Sequence, residues 1–323
     1  MTKTFTLAPK RGEYVDVTDL WAQEKYQLPA ADLARLEKLD AAYRALVAVL
    51  YNFVPTSGHP GGSISSGRIV NLLLYKFMAY ELACPHRPDN DILSYAAGHK
   101  ALGLYAHWAL RNECVRIAQP SLLAKEEKDQ LRLEDLLGFR HNKVQGTPLF
   151  TQFHSKALGG HPEPVVPFVR TSTGASGVGD ASAVGLALAA ADAYGRNAPV
   201  VNILEGEGGM TAGRVSEALA CAATAQLRNL VFHLDWNEAS IESNRVTNDG
   251  QAPGDYVQWT PVEMLRIHDF NVIYVPDGHD FKQIYAAQKK AMEFKNHQPT
   301  AIVYRTVKGS HYGIEGRASH GAG

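Results

Sequence analysis

Glu207 and Asn237 are the residues from which chemistry is first legible. Glu207 stands in the run Gly206-Glu207-Gly208-Gly209, directly after a β-branched stretch, Val200 to Leu204. Asn237 closes a second apolar stretch, Leu230 to Trp236. Between them, from about Gly213 to Leu227, lies a segment rich in Ala and Leu, good helix formers. The unit reads strand, turn, helix, strand. It places both residues at the carboxyl ends of neighbouring parallel strands, where open α/β sheets bind ligands. A carboxylate, an amide oxygen and a nearby backbone carbonyl are hard oxygen donors. They suit Mg²⁺ or Ca²⁺, with phosphate oxygens completing the shell. The glycines beside the carboxylate remove side-chain bulk and let backbone approach a diphosphate.

Histidines form the second group, and the chain has 13 of them. His59 lies in Thr56-Ser57-Gly58-His59-Pro60-Gly61-Gly62-Ser63, His99 follows Ala96-Ala97-Gly98, and His161 lies in Gly159-Gly160-His161-Pro162-Glu163. His320 stands in Ser319-His320-Gly321. A histidine at a strand-to-helix turn is close to free helix N–H groups that can receive an anion. Histidines titrating near neutral pH can donate and shuttle protons. His86, His107, His141, His233, His268, His297 and His311 lack such settings and read as structural. His279, in Asp277-Gly278-His279-Asp280, reads as the cap of its turn.

The elements that position these groups alternate along the chain. Residues 1–30 are polar, with Pro9 and Pro29, and read as an extended arm. From Ala31 a stripe of Leu33, Leu36, Leu39, Tyr43, Leu46 and Leu50 predicts a helix that Pro55 ends. A helix begins near Ser65, a strand covers Ile92 to Tyr95, and a helix follows His99. Residues 118–140 are charged and read as an exposed amphipathic helix; residues 141–165 read as loop. After Thr171-Ser172-Thr173-Gly174-Ala175-Ser176-Gly177-Val178-Gly179 comes ASAVGLALAAADAYG, small and apolar along its length and expected to be buried. Residues 242–258 are a polar loop long enough to be functional. A helix from Pro261, a strand from Asn271 to Val275, a helix from Phe281 and a strand from Thr300 to Arg305 complete the chain. The alternation predicts an α/β fold, a doubly wound and mainly parallel sheet flanked by helices.

Composition narrows the classes. The 323 residues are 45% hydrophobic and 20% charged with net charge −1, an ordinary globular balance that argues against nucleic-acid partners. No apolar run is long enough for a membrane span, and no signal peptide is visible. Cys84, Cys114 and Cys221 show no CxxC spacing, fit a reducing, cytoplasmic compartment and read as buried small residues.

Eight of these motifs fall in one order: Ser57-Gly58-His59-Pro60-Gly61; Ser94 through Gly98-His99; Gly160-His161-Pro162-Glu163; Thr173-Gly174…Gly177…Gly179; Gly206-Glu207-Gly208; Asp235…Asn237; Asp277-Gly278-His279-Asp280; His320-Gly321. Together they resemble the amino-terminal half of transketolase, from about Ala31 to the end, including its thiamine diphosphate fingerprint of Gly-Asp-Gly followed some thirty residues on by Asn. The resemblance implies thiamine diphosphate as cofactor, with Mg²⁺ (or Ca²⁺ or Mn²⁺), and transfer of a two-carbon ketol unit between sugar phosphates. It implies side-chain metal ligands at Glu207 and Asn237 and a third at the Ala239 carbonyl. It places Gly174, Ser176 and Gly208 along the cofactor and Ile241 under its ring. His99 and His320 would approach the diphosphate or the reacting carbon. His59 and His161 would hydrogen-bond the donor sugar.

The sequence departs from that family in three ways. Glu207 stands where the family has Asp, so the metal or the backbone must shift by roughly 1 Å. Ala212 falls where a glutamate usually communicates across the subunit interface. The chain ends at Gly323, before the pyrimidine-binding and carboxy-terminal domains of the family. The expectation is a diphosphate-binding domain over residues 31–323, subunit or fragment, needing a pyrimidine-binding partner chain and self-associating as a homo- or hetero-oligomer. Two further readings stay open: an E1-type or deoxyxylulose phosphate synthase-like subunit, and an inactive truncated domain that binds a partner or weakly binds the cofactor.

Overall fold

The computed structural model describes residues 8–53, 59–140 and 148–320. Ser57, Gly58, His141 and Gly321 fall outside them, so the motifs they belong to are described only in part.

Among the described residues six strands form one sheet: β1 (Tyr14–Asp16), β2 (Ile92–Tyr95), β3 (Val201–Gly206), β4 (Leu230–Trp236), β5 (Asn271–Val275) and β6 (Thr300–Arg305), in the order β1-β5-β6-β4-β3-β2. Every pairing is parallel. The helices are α1 (Ala30–Phe53), α2 (Pro60–Ser65), α3 (Gly67–Leu72), α4 (Ala101–Ala118), α5 (Pro148–Gln152), α6 (Val178–Tyr194), α7 (Gly213–Thr224), α8 (Pro261–Ile267) and α9 (Phe281–Ala291).

Parallel strands covered on both faces must be apolar on both, and these are. Ile203, Val272 and Val303 face a core made with α6, α7 and α8. Ile273, Ile302 and Tyr304 pack against α9 and Ile69 and Leu72 of α3. Leu93, Tyr95 and Leu204 meet Tyr43 of α1 and Tyr105 and Trp108 of α4. The alternation of neighbours such as Ile203 and Leu204 between two cores is the period of two that fixes register. Since all strands point one way, their carboxyl ends converge on one rim. Register there sets Gly206 beside Asp235, and Trp236 beside Arg305.

Several expectations need correction. The amino-terminal arm supplies edge strand β1 and buries Val17, Leu20 and Tyr26. At three residues β1 is too short to show a hydrophobic period. Residues 118–140 form no α-helix beyond the end of α4; they make three 3₁₀ turns, at Pro120–Leu122, Glu127–Asp129 and Leu133–Gly138. Pro120 breaks the first turn's backbone pairing, and Asp135 is buried at the amino end of the last, accepting from Arg132. Helix α6 is not buried all round: Ala181, Gly185, Leu188 and Ala189 are exposed on one face. Cys84 and Cys221 are exposed, not buried, and all three cysteines are free. Among the described residues no helix is long and apolar enough to cross a membrane.

Candidate active site

At the carboxyl rim lies a cavity of about 260 Å³, lined among others by His99, Gly174, Ser176, Glu207, Gly208, Asn237, Ala239, Ile241, Lys308 and His320. Four strand ends supply it: the turn after β2 brings His99, that after β3 Glu207, that after β4 Asn237 to Ile241, and that after β6 Lys308.

The acidic corner is built on Asp235, the penultimate residue of β4 and fully buried. Its carboxylate accepts from Lys100 Nζ (2.8 Å), Ser65 Oγ (2.6 Å), Asn237 Nδ2 (3.0 Å) and Thr306 Oγ1. Burial alone would push its pKa up; the charge of Lys100 and these hydrogen bonds outweigh burial and hold it below the ordinary range. Asn237 is thereby fixed. Its Oδ1 accepts from the Ala239 amide at 3.0 Å, and its own amide N–H donates to Glu207 Oε2 at 3.1 Å. Glu207 is 1% exposed, and burial, then the charge of Asp235, lift its pKa to about 7.

Between Asn237 and Ala239, Glu238 adopts a left-handed backbone with φ 61°. A non-glycine residue persists there only when its surroundings hold it. Here Trp236 Nε1 (2.5 Å), Thr247 Oγ1 (2.7 Å) and the Thr247 amide (3.0 Å) all donate to its carboxylate. This twist aims the Ala239 carbonyl at Lys308, whose Nζ donates to it at 2.8 Å.

The basic corner is a histidine cluster. The rings of His59, His99 and His320 lie 5.0–5.5 Å apart, centre to centre. Hydrogen bonds settle two tautomers. His59 Nδ1 is 2.5 Å from the His320 carbonyl, which can only accept, so His59 carries its proton on Nδ1 and keeps Nε2 as a free base. Lys308 Nζ donates to His320 Nδ1 at 2.5 Å, so His320 carries its proton on Nε2. Both rings are held neutral. Burial lowers the pKa of His59; burial, then the charge of Lys308, takes His320 down to about 3. His99 is pushed well below the ordinary range by burial and then by Lys100. His161 stands one step out. Its ring lies against Gly174, where φ is 148° and an added Cβ would come within 3.2 Å of the imidazole. Only glycine fits that approach.

The structure therefore gathers His59, His99, His320, Glu207, Asn237, Ala239, Gly174, Ser176, Gly208 and Ile241 around one rim, with His161 beside it. Ile241 is 66% exposed at the mouth. His279 accepts from the Val307 amide at 2.8 Å, and its own N–H is capped by Asp277; Asp280 caps α9. That motif holds the β5 and β6 turns together. His233 bonds Tyr304 and Asn202, and His107 stacks on Tyr43.

Sequence reading missed Lys308 and Lys100, and a buried acidic pair under the cavity, Asp180 and Glu205. Burial, then the charge of Asp180, pushes Glu205 well above the carboxylate range; burial lifts Asp180 to about 6. Gly209 admits them, for a Cβ there would lie 2.4 Å from the Glu205 carboxyl.

A family model described as the transketolase thiamine diphosphate binding domain matches residues 130–323. The chain belongs to the transketolase family. It is 33% identical over 254 residues to transketolase-like protein 2 of Mus musculus, covering 79% of this chain and 34% of that protein. It is 30% identical over 302 residues to transketolase of Homo sapiens, covering 92% of this chain and 41% of that one. Transketolase from Leishmania mexicana superposes with a TM-score of 0.70 at 26% identity, over 89% of this chain and 39% of that chain. The chain thus spans about a third to two fifths of the length of these transketolase relatives.

The donor set suits a diphosphate better than a divalent ion. For the tail there are an ammonium, two imidazoles and backbone at Gly174 and Gly208, where nothing crowds the Gly208 Cα. For a transketolase metal, the Ala239 carbonyl is already taken by Lys308. An ion bound to that oxygen at ~2.4 Å would lie within about 5 Å of Nζ, where a double charge meets repulsion on the order of 7 kcal/mol at an effective dielectric near 20. As arranged, Glu207, Asn237 and Ala239 do not fit a divalent cation.

Proposed function

We propose that this chain is the diphosphate-binding unit of a thiamine diphosphate-dependent transferase that moves a two-carbon ketol unit between sugar phosphates. The observation that carries the reading is the convergence of His99 and His320 with Glu207 and Asn237 on one cavity at the carboxyl rim of a parallel sheet, with the ring of His59 packed against both histidines. The cofactor, when bound, supplies the carbanion chemistry by which a carbon–carbon bond next to a ketone is broken and made. The chain's own residues supply orientation and proton traffic. Neutral His59, with Nε2 unprotonated, is placed to accept a proton from a donor-sugar hydroxyl. His320, protonated on Nε2, is placed to donate to an oxygen that gains charge. His99, held neutral, lies beside it as a further donor or acceptor. Gly174, Ser176 and Gly208 would run along the tail, and the exposed Ile241 would support the ring.

The pyrimidine end of the cofactor lies, on this reading, against a pyrimidine-binding partner subunit or domain. The exposed apolar residues Ile241 and Leu188 and the small outer face of α6 support an assembly that covers them. The test is turnover of a ketose phosphate donor with an aldose phosphate acceptor by this chain together with the pyrimidine-binding polypeptide. Ketol transfer that is lost in His59→Ala and His320→Ala supports the reading. Turnover of pyruvate alone would replace it with an E1-type or deoxyxylulose phosphate synthase-like activity. Failure to bind thiamine diphosphate with or without the partner would leave an inactive binding domain.

A further inference from the structure

Two buried lysines approach the cavity, and they differ in one respect. Lys100 is 1% exposed and its charge is met by Asp235 in an ion pair of 2.8 Å. Lys308 is 3% exposed, yet its ammonium touches only neutral acceptors, the Ala239 carbonyl and His320 Nδ1. The charges of Glu207 and Asp235 reach it, but no carboxylate among the described residues makes an ion pair with it. A buried cation whose counterions stand off gains from negative charge brought into direct contact with it. Nor is Lys308 a loose surface arm. Its own carbonyl accepts from the Gly316 amide at 2.9 Å, and the next amide, of Gly309, donates to the Gly61 carbonyl at 3.1 Å. Of the three ammonium hydrogens, two are committed to the protein and one is left for a ligand.

The position of this charge matters as much as its lack of a partner. It occupies the Ala239 oxygen, one of the three that a divalent ion would need, and it lines the same cavity as Glu207 and Asn237. We propose that the Lys308 ammonium is the chain's own substitute for the divalent cation, so that the diphosphate of thiamine diphosphate is held here without metal. The ligand's tail then supplies the counterion in direct contact with Lys308 that Glu207 and Asp235, acting from further off, do not. Asn237 and Glu207 become the scaffold that orients the Ala239 carbonyl, and through it the ammonium. This rests on the cofactor reading given above.

The test uses the full chain, freed of metal by dialysis against EDTA, and two probes: thiamine diphosphate, and inorganic pyrophosphate, which needs only the tail-binding end. Calorimetry is run in EDTA and in excess Mg²⁺. Both probes should bind in EDTA, and Mg²⁺ should change affinity by less than about threefold, or ~0.7 kcal/mol. Mn²⁺ added with thiamine diphosphate should give no protein-bound EPR signal. In Lys308→Met, affinity in EDTA should fall by about tenfold or more, Mg²⁺ should restore it, and a bound Mn²⁺ signal should appear. Binding that requires Mg²⁺, or bound Mn²⁺ in the wild-type chain, overturns the proposal and leaves the cofactor reading standing. Binding of neither probe in either buffer overturns the cofactor reading. If Lys308→Met does not fold, the wild-type comparison alone decides.

Discussion

Replacing Asp180 by asparagine should make the chain more stable at neutral pH. Asp180 is fully buried beneath the cavity and faces Glu205; neither of its oxygens finds another hydrogen-bond donor among the described residues. Its pKa is lifted from 3.8 to about 6, chiefly by burial. The folded state therefore holds this proton to higher pH than the unfolded chain does. Between about pH 4 and pH 6 unfolding releases it, so the contribution of Asp180 to stability falls as pH rises through that window and is level above it, while Glu205 and Glu207, also raised, carry the fall of the whole chain further. Two units at 1.36 kcal/mol each make the loss at pH 7 about 2–3 kcal/mol. Asparagine carries no charge to desolvate, and its amide can donate to Glu205 Oε2, which has no partner of its own. Urea unfolding followed by circular dichroism, at a series of pH values across the window, would show Asp180→Asn more stable at pH 7 and less sloped below it. A variant no more stable than wild type at pH 7, or with the same fall across the window, would refute this account of the pair.

Three further outcomes follow from the same corner. Lys100→Met removes the ion partner of a fully buried carboxylate and should cost about 3–5 kcal/mol in urea unfolding, with Lys100→Met/Asp235→Asn milder than the sum; a single-variant loss below ~1 kcal/mol would contradict the structure. Glu238→Ala strips the Thr247 hydroxyl and amide of their acceptor and leaves Trp236 Nε1 only its bond to Thr247 Oγ1. It should cost about 2–4 kcal/mol by the same assay and weaken pyrophosphate binding, as the Ala239 carbonyl loses its aim; unchanged affinity would show that the carbonyl does not position Lys308. Gly209→Ala presses a methyl onto the Glu205 carboxyl and should cost about 1–3 kcal/mol. Adding Glu205→Ala should recover most of that loss, and no recovery would place the clash elsewhere.

Much of the frame was legible because the signals were local. Leu230 to Trp236 and Thr300 to Arg305 are strands to the residue, and the Gly206-Glu207-Gly208 turn announces a strand end. β1 was not legible, since its partner lies some 258 residues away and three residues carry no period. The run 118–140 had helical charge spacing but a proline and a buried aspartate that tertiary contacts turned into 3₁₀ turns. At the site, residues flanked by glycine were visible and those defined by distant partners were not. Lys308 is a single lysine in a polar tail; its meaning comes from Ala239, 69 residues earlier. Lys100 carries no signal of its own beside His99; its bond to Asp235, 135 residues on, makes it a buried ion. Asp180 stands between the glycine-rich run that ends at Gly179 and the apolar stretch from Ala181, and its partner Glu205 is 25 residues on.

The order of the strands has a consequence for how the molecule is made. β6, synthesised after the other five strands of this sheet, lies between β5 and β4. Until it emerges, the nascent sheet is two separate halves, each with a bare edge of unpaired backbone. Lys308 and His320 arrive only after it, so the pocket cannot form early. Such late, long-range closure is slow and leaves sticky edges exposed meanwhile. Soluble yield from a heterologous host should therefore rise when translation is slowed by cold, or when a chaperone that shields open strands is co-expressed.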